Sequence, residues 1–165
     1  MIRSGIGYDC HRFAAGRRLI LGGIELQSEL GLEGHSDADV LTHAVIDALL
    51  GAAALGDIGQ HFPDTDPRYA GTNSVELLQE VAAMLESRGW TVGNVDATVV
   101  IEGPKLAPFT EQMAANLSGA LAIAPEQVNV KATRGEGMGF VGRQEGAAAL
   151  ALATLTSEYP ITQGS

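Results

Sequence analysis

An α+β fold is predicted: a mixed four-stranded sheet with helices packed on one face, plus a small N-terminal β-hairpin. Three observations point there. Apolar residues recur with a period of two in some stretches and at helical spacing in others, in the order β-β-α-loop-α-β-α-β-β. The 165 residues hold no internal repeat and no Ser/Pro-rich linker, so residues 1–165 read as one domain. Hydrophobic residues make up 45% and charged residues 18%, a composition that can build a core.

Residues 2–9 alternate as a strand, "AAGRR" (14–18) turns, and "LILGG" (19–23) is a short second strand ended by Gly22 and Gly23. The run 35–56 is a helix, with Ser36 as N-cap, Asp39 three residues on, and Leu41, Val45, Ala48, Leu49 and Ala52 as its apolar stripe. Residues 56–74, with Pro63 and Pro67, read as a long irregular loop, a type that is often functional. A second helix starts at Asn73 as N-cap and stops at Gly89, burying Leu78, Val81, Ala82 and Leu85. A strand over 91–102, a turn, a helix over 108–122 and a strand over 127–133 follow. The Gly-rich run 134–146 cannot form the interior of a regular element. The tail reads as a strand because Leu150, Leu152, Thr154 and Thr156 alternate, although its alanines suit a helix.

The formal net charge is −10, so the surface repels nucleic-acid backbones. A phosphate substrate would need a local reversal of sign, which a divalent cation supplies. A single cysteine, Cys10, forms no intramolecular disulfide and fits a reducing compartment. The N-terminus shows no apolar leader, and the longest apolar runs are too short to span a bilayer. A soluble, cytoplasmic protein is expected.

All four histidines (His11, His35, His43, His61) lie in the first 61 residues, among Asp9, Asp37, Asp39, Asp47 and Asp57. On a strand, Asp9 and His11 project from the same face and Cys10 from the other, where it reads as a small buried residue. His43 shares a helix face with Asp39 and Asp47, either of which could orient its ring. If that helix packs on the first strand, Asp9, His11 and His43 make a common zinc set with one position open. Spacing alone leaves the alternative standing: a solvated strand face and a hydrogen-bonded helix histidine. His35, just before the N-cap, is either a phosphate donor at a helix N-terminus or a surface residue, and His61 reads as ordinary surface. "RGEGMGFVGR" is a phosphate-cradle candidate carrying Arg134 and Arg143, with Glu136 as an oxygen ligand for Mg²⁺, but it lacks both the Walker A and the GxGxxG spacing.

Six blocks together carry a resemblance: "GYDCHRF" (7–13), "GHSDADVLTHAVIDALLGAAALGDIGQHFPDTDP" (34–67), "GNVDATVV" (93–100), "GPK" (103–105), "NVKAT" (129–133) and "GFVGRQEG" (139–146). Over nearly the whole chain the sequence closely resembles the 2-C-methyl-D-erythritol 2,4-cyclodiphosphate synthase family. The resemblance implies a homotrimer of the non-mevalonate isoprenoid route. Such an enzyme cyclises 4-diphosphocytidyl-2-C-methyl-D-erythritol 2-phosphate to the 2,4-cyclodiphosphate and releases CMP.

It also implies zinc on Asp9, His11 and His43, and Mg²⁺ or Mn²⁺ on Glu136 and the diphosphate. His35 then matches the transition-state histidine, with Ser36 beside it. Asp57, Ile58 and Gly59, with Phe62, Pro63, Asp64, Thr65 and Asp66, match the surroundings of the erythritol moiety, and residues 57–72 the lid. Ile101, Glu102, Gly103, Pro104, Lys105, Leu106 and Ala107, with Ala132 and Thr133, match a cytidine pocket donated by the adjacent subunit. Phe140 and Arg143 match the trimer's central cavity, where isoprenoid diphosphates bind in some members.

Two positions depart from the family pattern. Ala38 replaces a glycine in "HSDGD", which is expected to add one methyl inside the first helical turn. Arg134 replaces the threonine after "KAT" that holds the reacting phosphate, so Arg134 itself takes that role, Thr133 covers it, or turnover is altered. The same residues also suit a zinc phosphohydrolase on a nucleotide-linked substrate, or a trimeric binding module without turnover.

Overall fold

The first strand, β1 (Ile2–Ala15), runs well beyond Asp9 because its alternation continues through His11 and Phe13. The computed structural model describes residues 1–158. Next come β2 (Leu19–Leu21), β3 (Ile24–Leu26), β4 (Leu30–Leu32), α1 (Val40–Ala53) and α2 (Ile58–His61). Then follow α3 (Ser74–Glu86), β5 (Thr91–Val100), α4 (Thr110–Leu121), β6 (Val128–Thr133), α5 (Gly139–Gly142) and β7 (Gly146–Thr156).

Among the described residues the sheet has five strands, not four, in the order β4-β1-β7-β5-β6, and only β5 and β6 pair in parallel. The hairpin is β2–β3, set apart from this sheet and turned by Gly22 and Gly23, both at positive φ. β3 and β4 have three residues each, too few for alternation to register in sequence.

The helices cover one face, as expected. Ala147, Ala149, Ala151, Ala153 and Leu155 of β7 and Val95, Ala97 and Val99 of β5 are buried beneath them. α1 is buried nearly all round and lies directly on β1, because Gly5 and Gly7 have no side chain in the way. A Cβ at Gly7 would sit 1.9 Å from the Ala44 carbonyl oxygen; one at Gly5 would sit 2.0 Å from that of Ala48. Among the described residues nothing covers the other face of the sheet, which exposes Ile2, Ile6, Tyr8, Leu150 and Leu152. Cys10 lies on this face and is exposed, which corrects the expectation of a buried thiol: none of the described helices covers it.

α1 begins later than predicted. Ser36 is not its N-cap; Asp39 is, accepting the Thr42 N–H at 3.0 Å. Ala38 sits outside the helix at φ +58°, not in its first turn. The fully buried Asp39 carboxylate also accepts the Gly22 and Gly23 N–H groups and the Thr42 hydroxyl, so one side chain ties the hairpin to α1. Burial pushes its pKa up against those bonds.

The stretch after α1 is more regular than a loop. It holds α2 and a 3₁₀ turn at Pro67–Tyr69, with Asp57 and Asp66 as N-caps. The Gly-rich run likewise contains the short α5. Among the described residues, no helix is long and apolar enough to cross a membrane.

Candidate metal centre

β1 presents Gly5, Gly7, Asp9 and His11 on its α1 side. The two glycines let the helix approach, and the next two positions then meet the turn of α1 that carries His43. His11 Nε2 lies 3.0 Å from Asp9 Oδ2 and 3.2 Å from His43 Nδ1, and His43 Nδ1 lies 3.0 Å from the same Asp9 oxygen. Tetrahedral zinc with bonds of about 2.05 Å places its ligand atoms about 3.3 Å apart. The triangle therefore fits such an ion with shifts of a few tenths of an ångström. The three side chains are only 11–24% exposed, so a charge placed among them is little screened.

The donor chemistry fits as well. His11 Nδ1 donates to the Glu33 carbonyl at 2.8 Å; a carbonyl can only accept, so Nε2 is left bare toward the centre. Burial would raise the Asp9 pKa, but the adjoining His11 and His43 rings outweigh it and hold the carboxyl at about 2. Burial would lower that of His11, yet its bond to Asp9 wins and raises it.

Neither acid expected to orient His43 does so. Asp39 is engaged with the hairpin, and Asp47 accepts the Ile58 N–H at 2.8 Å, joining α1 to α2; burial pushes its carboxyl up. The His43 Nε2 partners are instead Ser74 Oγ at 2.8 Å and Ser36 Oγ at 3.1 Å. Ser74 was missed because its only sequence signal was its place at the start of a helix 31 residues away.

Asp9, His11 and His43 open on a cavity of about 390 Å³, walled by Gly34, His35, Ser36, Ile58, Gly59, Phe62, Asp64, Tyr69 and Leu77. Asp57, Pro63, Thr65 and Asp66 stand off its lining. Asp57 caps α2, and Asp66 caps the 3₁₀ turn and pairs with Arg68. His35 is exposed and bonded through Nε2 to the Asp66 carbonyl at 3.0 Å. It lies four residues before the true N-cap, so the helix-terminus reading of it does not hold. His61 is half-buried and bonded to the Leu55 carbonyl at 2.8 Å, not free on the surface.

A second cluster forms where β5 and β6 end. Ile101 N–H donates to the Thr133 carbonyl at 3.0 Å, and Gly137 N–H to Glu102 at 3.4 Å, which brings the 101–107 turn against the glycine-rich loop. Ile101 and Leu106 are buried; Gly103, Lys105, Ala107, Ala132, Thr133, Arg134 and Glu136 are exposed. Arg143 pairs with Glu145 at 2.7 Å. None of these residues, nor Pro104 or Phe140, lines the cavity within one chain.

Comparison with known proteins gives a consistent picture. Residues 2–156 match the family described as the YgbB family. The chain is 62% identical over 154 residues to the "Bifunctional enzyme IspD/IspF" of Anaeromyxobacter dehalogenans, covering 93% of this chain but only 40% of that protein. It is 56% identical over 158 residues to the "2-C-methyl-D-erythritol 2,4-cyclodiphosphate synthase" of Agathobacter rectalis, covering 96% and 89%. Among solved structures, "IspF (Plasmodium falciparum) CDP complex" superposes with a TM-score of 0.84 at 29% identity, covering 96% and 97%.

Proposed function

The chain belongs to the YgbB family, and from that premise we propose that it cyclises 4-diphosphocytidyl-2-C-methyl-D-erythritol 2-phosphate to the 2,4-cyclodiphosphate with release of CMP, in the non-mevalonate isoprenoid route. One observation carries the reading: three ligand atoms 3.0–3.2 Å apart, from Asp9, His11 and His43, open on a cavity large enough for a phosphorylated sugar. A relative bearing the synthase name at 56% identity and a related structure described as a CDP complex support it.

Zinc is the metal assigned to the triad, where it supplies Lewis acidity and a fixed positive charge. Glu136 would supply an oxygen ligand to Mg²⁺ or Mn²⁺, which would add positive charge to offset the substrate diphosphate. A 2-phosphate oxygen forms a bond to the β-phosphorus in line as the bond to CMP breaks; no net proton or electron is needed. Side chains therefore contribute position and charge neutralisation. His35 and Ser36 face the reacting phosphate from the cavity wall, and Arg134 or Thr133 holds it from the other side. Ile58, Gly59, Phe62 and Asp64 frame the erythritol from the cavity wall, on a segment that Asp57 and Asp66 hold by capping α2 and the 3₁₀ turn. Ile58, Phe62, Tyr69 and Leu77 form an apolar wall that keeps out water, whose attack would give a linear product.

The second cluster lies off the cavity, which supports an assembly in which a neighbouring subunit completes the site. Residues 101–107, 132 and 133 then take the cytidine. The exposed apolar face of Ile2, Ile6, Tyr8, Leu150 and Leu152 supports a homotrimer that covers it, since such patches mark interaction surfaces. Phe140 and Arg143 line its central cavity, which takes an isoprenoid diphosphate.

CMP release with and without a chelator tests the function. Activity lost on chelation and restored by zinc is expected; full activity in zinc-free protein would overturn it.

A further inference from the structure

We propose that Asp37 and Ser74 are positioning residues for the metal centre: together they fix His43 in the tautomer that turns a bare Nδ1 toward Asp9 and His11. The inference rests on the zinc reading above and deepens it.

The order of protons along this chain of bonds is set from its acceptor-only end. The Asp37 carboxylate can only accept. The Ser74 hydroxyl, in close contact with Asp37 Oδ1, therefore gives its proton to that oxygen. The Ser74 oxygen is then free to accept, and the group that reaches it is His43 Nε2 at 2.8 Å. His43 thus carries its proton on Nε2 and leaves Nδ1 unprotonated, 3.0 Å from Asp9 Oδ2 and 3.2 Å from His11 Nε2.

Ser74 is fully buried, so water does not compete for the link. Asp37 is itself held: it accepts the Ser74 N–H at 3.0 Å and the Asp39 N–H at 3.2 Å, and its own N–H donates to the Thr72 carbonyl at 3.1 Å. Ser36 Oγ, the other neighbour of Nε2, lies farther at 3.1 Å and already accepts the Ala38 N–H. The arrangement is a carboxylate–hydroxyl–imidazole chain, a variant of the carboxylate–histidine–metal pattern in which the outer partner sets ring orientation and ligand basicity. It links the start of α3 to the metal ligand on α1.

A merely structural role is also conceivable, because Asp37 caps α3 through the Ser74 backbone. The variants Ser74→Thr and Ser74→Val separate the two. They add similar bulk and both keep the backbone cap; only Thr keeps the hydroxyl. On metal-stripped full-length protein, zinc affinity is read by competition with a chromophoric chelator, and the cobalt(II) visible spectrum reports the ligand set. Ser74→Thr is expected to stay near the parent, and Ser74→Val to bind zinc about 10–100-fold more weakly, as loss of outer partners typically does. Equal affinities for the two variants would overturn the proposal. If either fails to fold, Asp37→Asn reads the same link: a loss of about tenfold or more supports it, and unchanged affinity overturns it. A parent chain that binds neither zinc nor cobalt would instead sink the metal reading itself.

Discussion

Replacing Gly7 by alanine changes one atom group 2 residues from the nearest candidate ligand, yet it should disable the metal centre. The added Cβ would stand 1.9 Å from the Ala44 carbonyl oxygen and 2.7 Å from the Ala48 nitrogen, both backbone atoms of α1 that no rotamer change can move. Ordinary carbon–oxygen contact needs about 3.3 Å, so strand and helix must part by more than about 1 Å. His43 rides on the same turn of α1, one residue before Ala44. A metal site tolerates ligand errors of only about 0.2 Å, so the 3.0–3.2 Å triangle would open too far to close on one ion. Overpacking of this kind costs about 1–3 kcal/mol or more, equivalent to a fall of roughly 2–12 °C in Tm for a chain of this size. Thermal unfolding and zinc content of Gly7→Ala are the assays. A variant with parental Tm and one zinc per chain would refute the claim that glycine-mediated docking of α1 on β1 sets the ligand spacing.

Other outcomes follow from the same geometry. Ala38→Gly should leave stability within about 1 kcal/mol of the parent, because relief of a left-handed alanine, about 1 kcal/mol, is offset by one lost buried methyl, about 0.8 kcal/mol; denaturant melts showing a loss near 2 kcal/mol would place Ala38 in a helix instead. In metal-stripped protein, His11, raised above 6.5, contributes stability that is present below pH 6.5 and lost as pH rises through its folded value. Asp9, lowered from 3.8 to about 2, contributes stability that is present above pH 3.8 and lost as pH falls toward 2. Melting temperatures should therefore be highest between these limits, while zinc affinity rises with pH; a Tm that climbs steadily past pH 7 would contradict the pairing. Arg134→Thr should slow CMP release without changing zinc content; an unchanged rate would remove Arg134 from the phosphate site.

Much of this site was legible in sequence because strand and helix periodicities are strict. Period two put Asp9 and His11 on one face with Cys10 opposite, and the helical pattern put His43 on an element able to reach them. What sequence did not reveal were contacts between distant segments. Ser74 reaches His43 across 31 residues, and Asp39 is consumed by the β2–β3 turn, so one of the two acids expected to orient His43 is unavailable. The capping error at Ser36 has a local cause: Ala38 in the left-handed region breaks the helical path before Asp39, and nothing in an alanine announces that. The strand count failed at β3 and β4, whose three-residue lengths carry no period. Cys10 looked buried because small thiols usually are; the bare sheet face that exposes it is a property of the single chain's topology.

The most direct test of the proposed chemistry is the phosphorus NMR spectrum of the product formed from 4-diphosphocytidyl-2-C-methyl-D-erythritol 2-phosphate by the zinc-loaded protein. Two coupled resonances of a cyclic diphosphate appearing together with CMP are predicted. A linear, hydrolysed product would contradict cyclisation and make the protein a zinc phosphohydrolase.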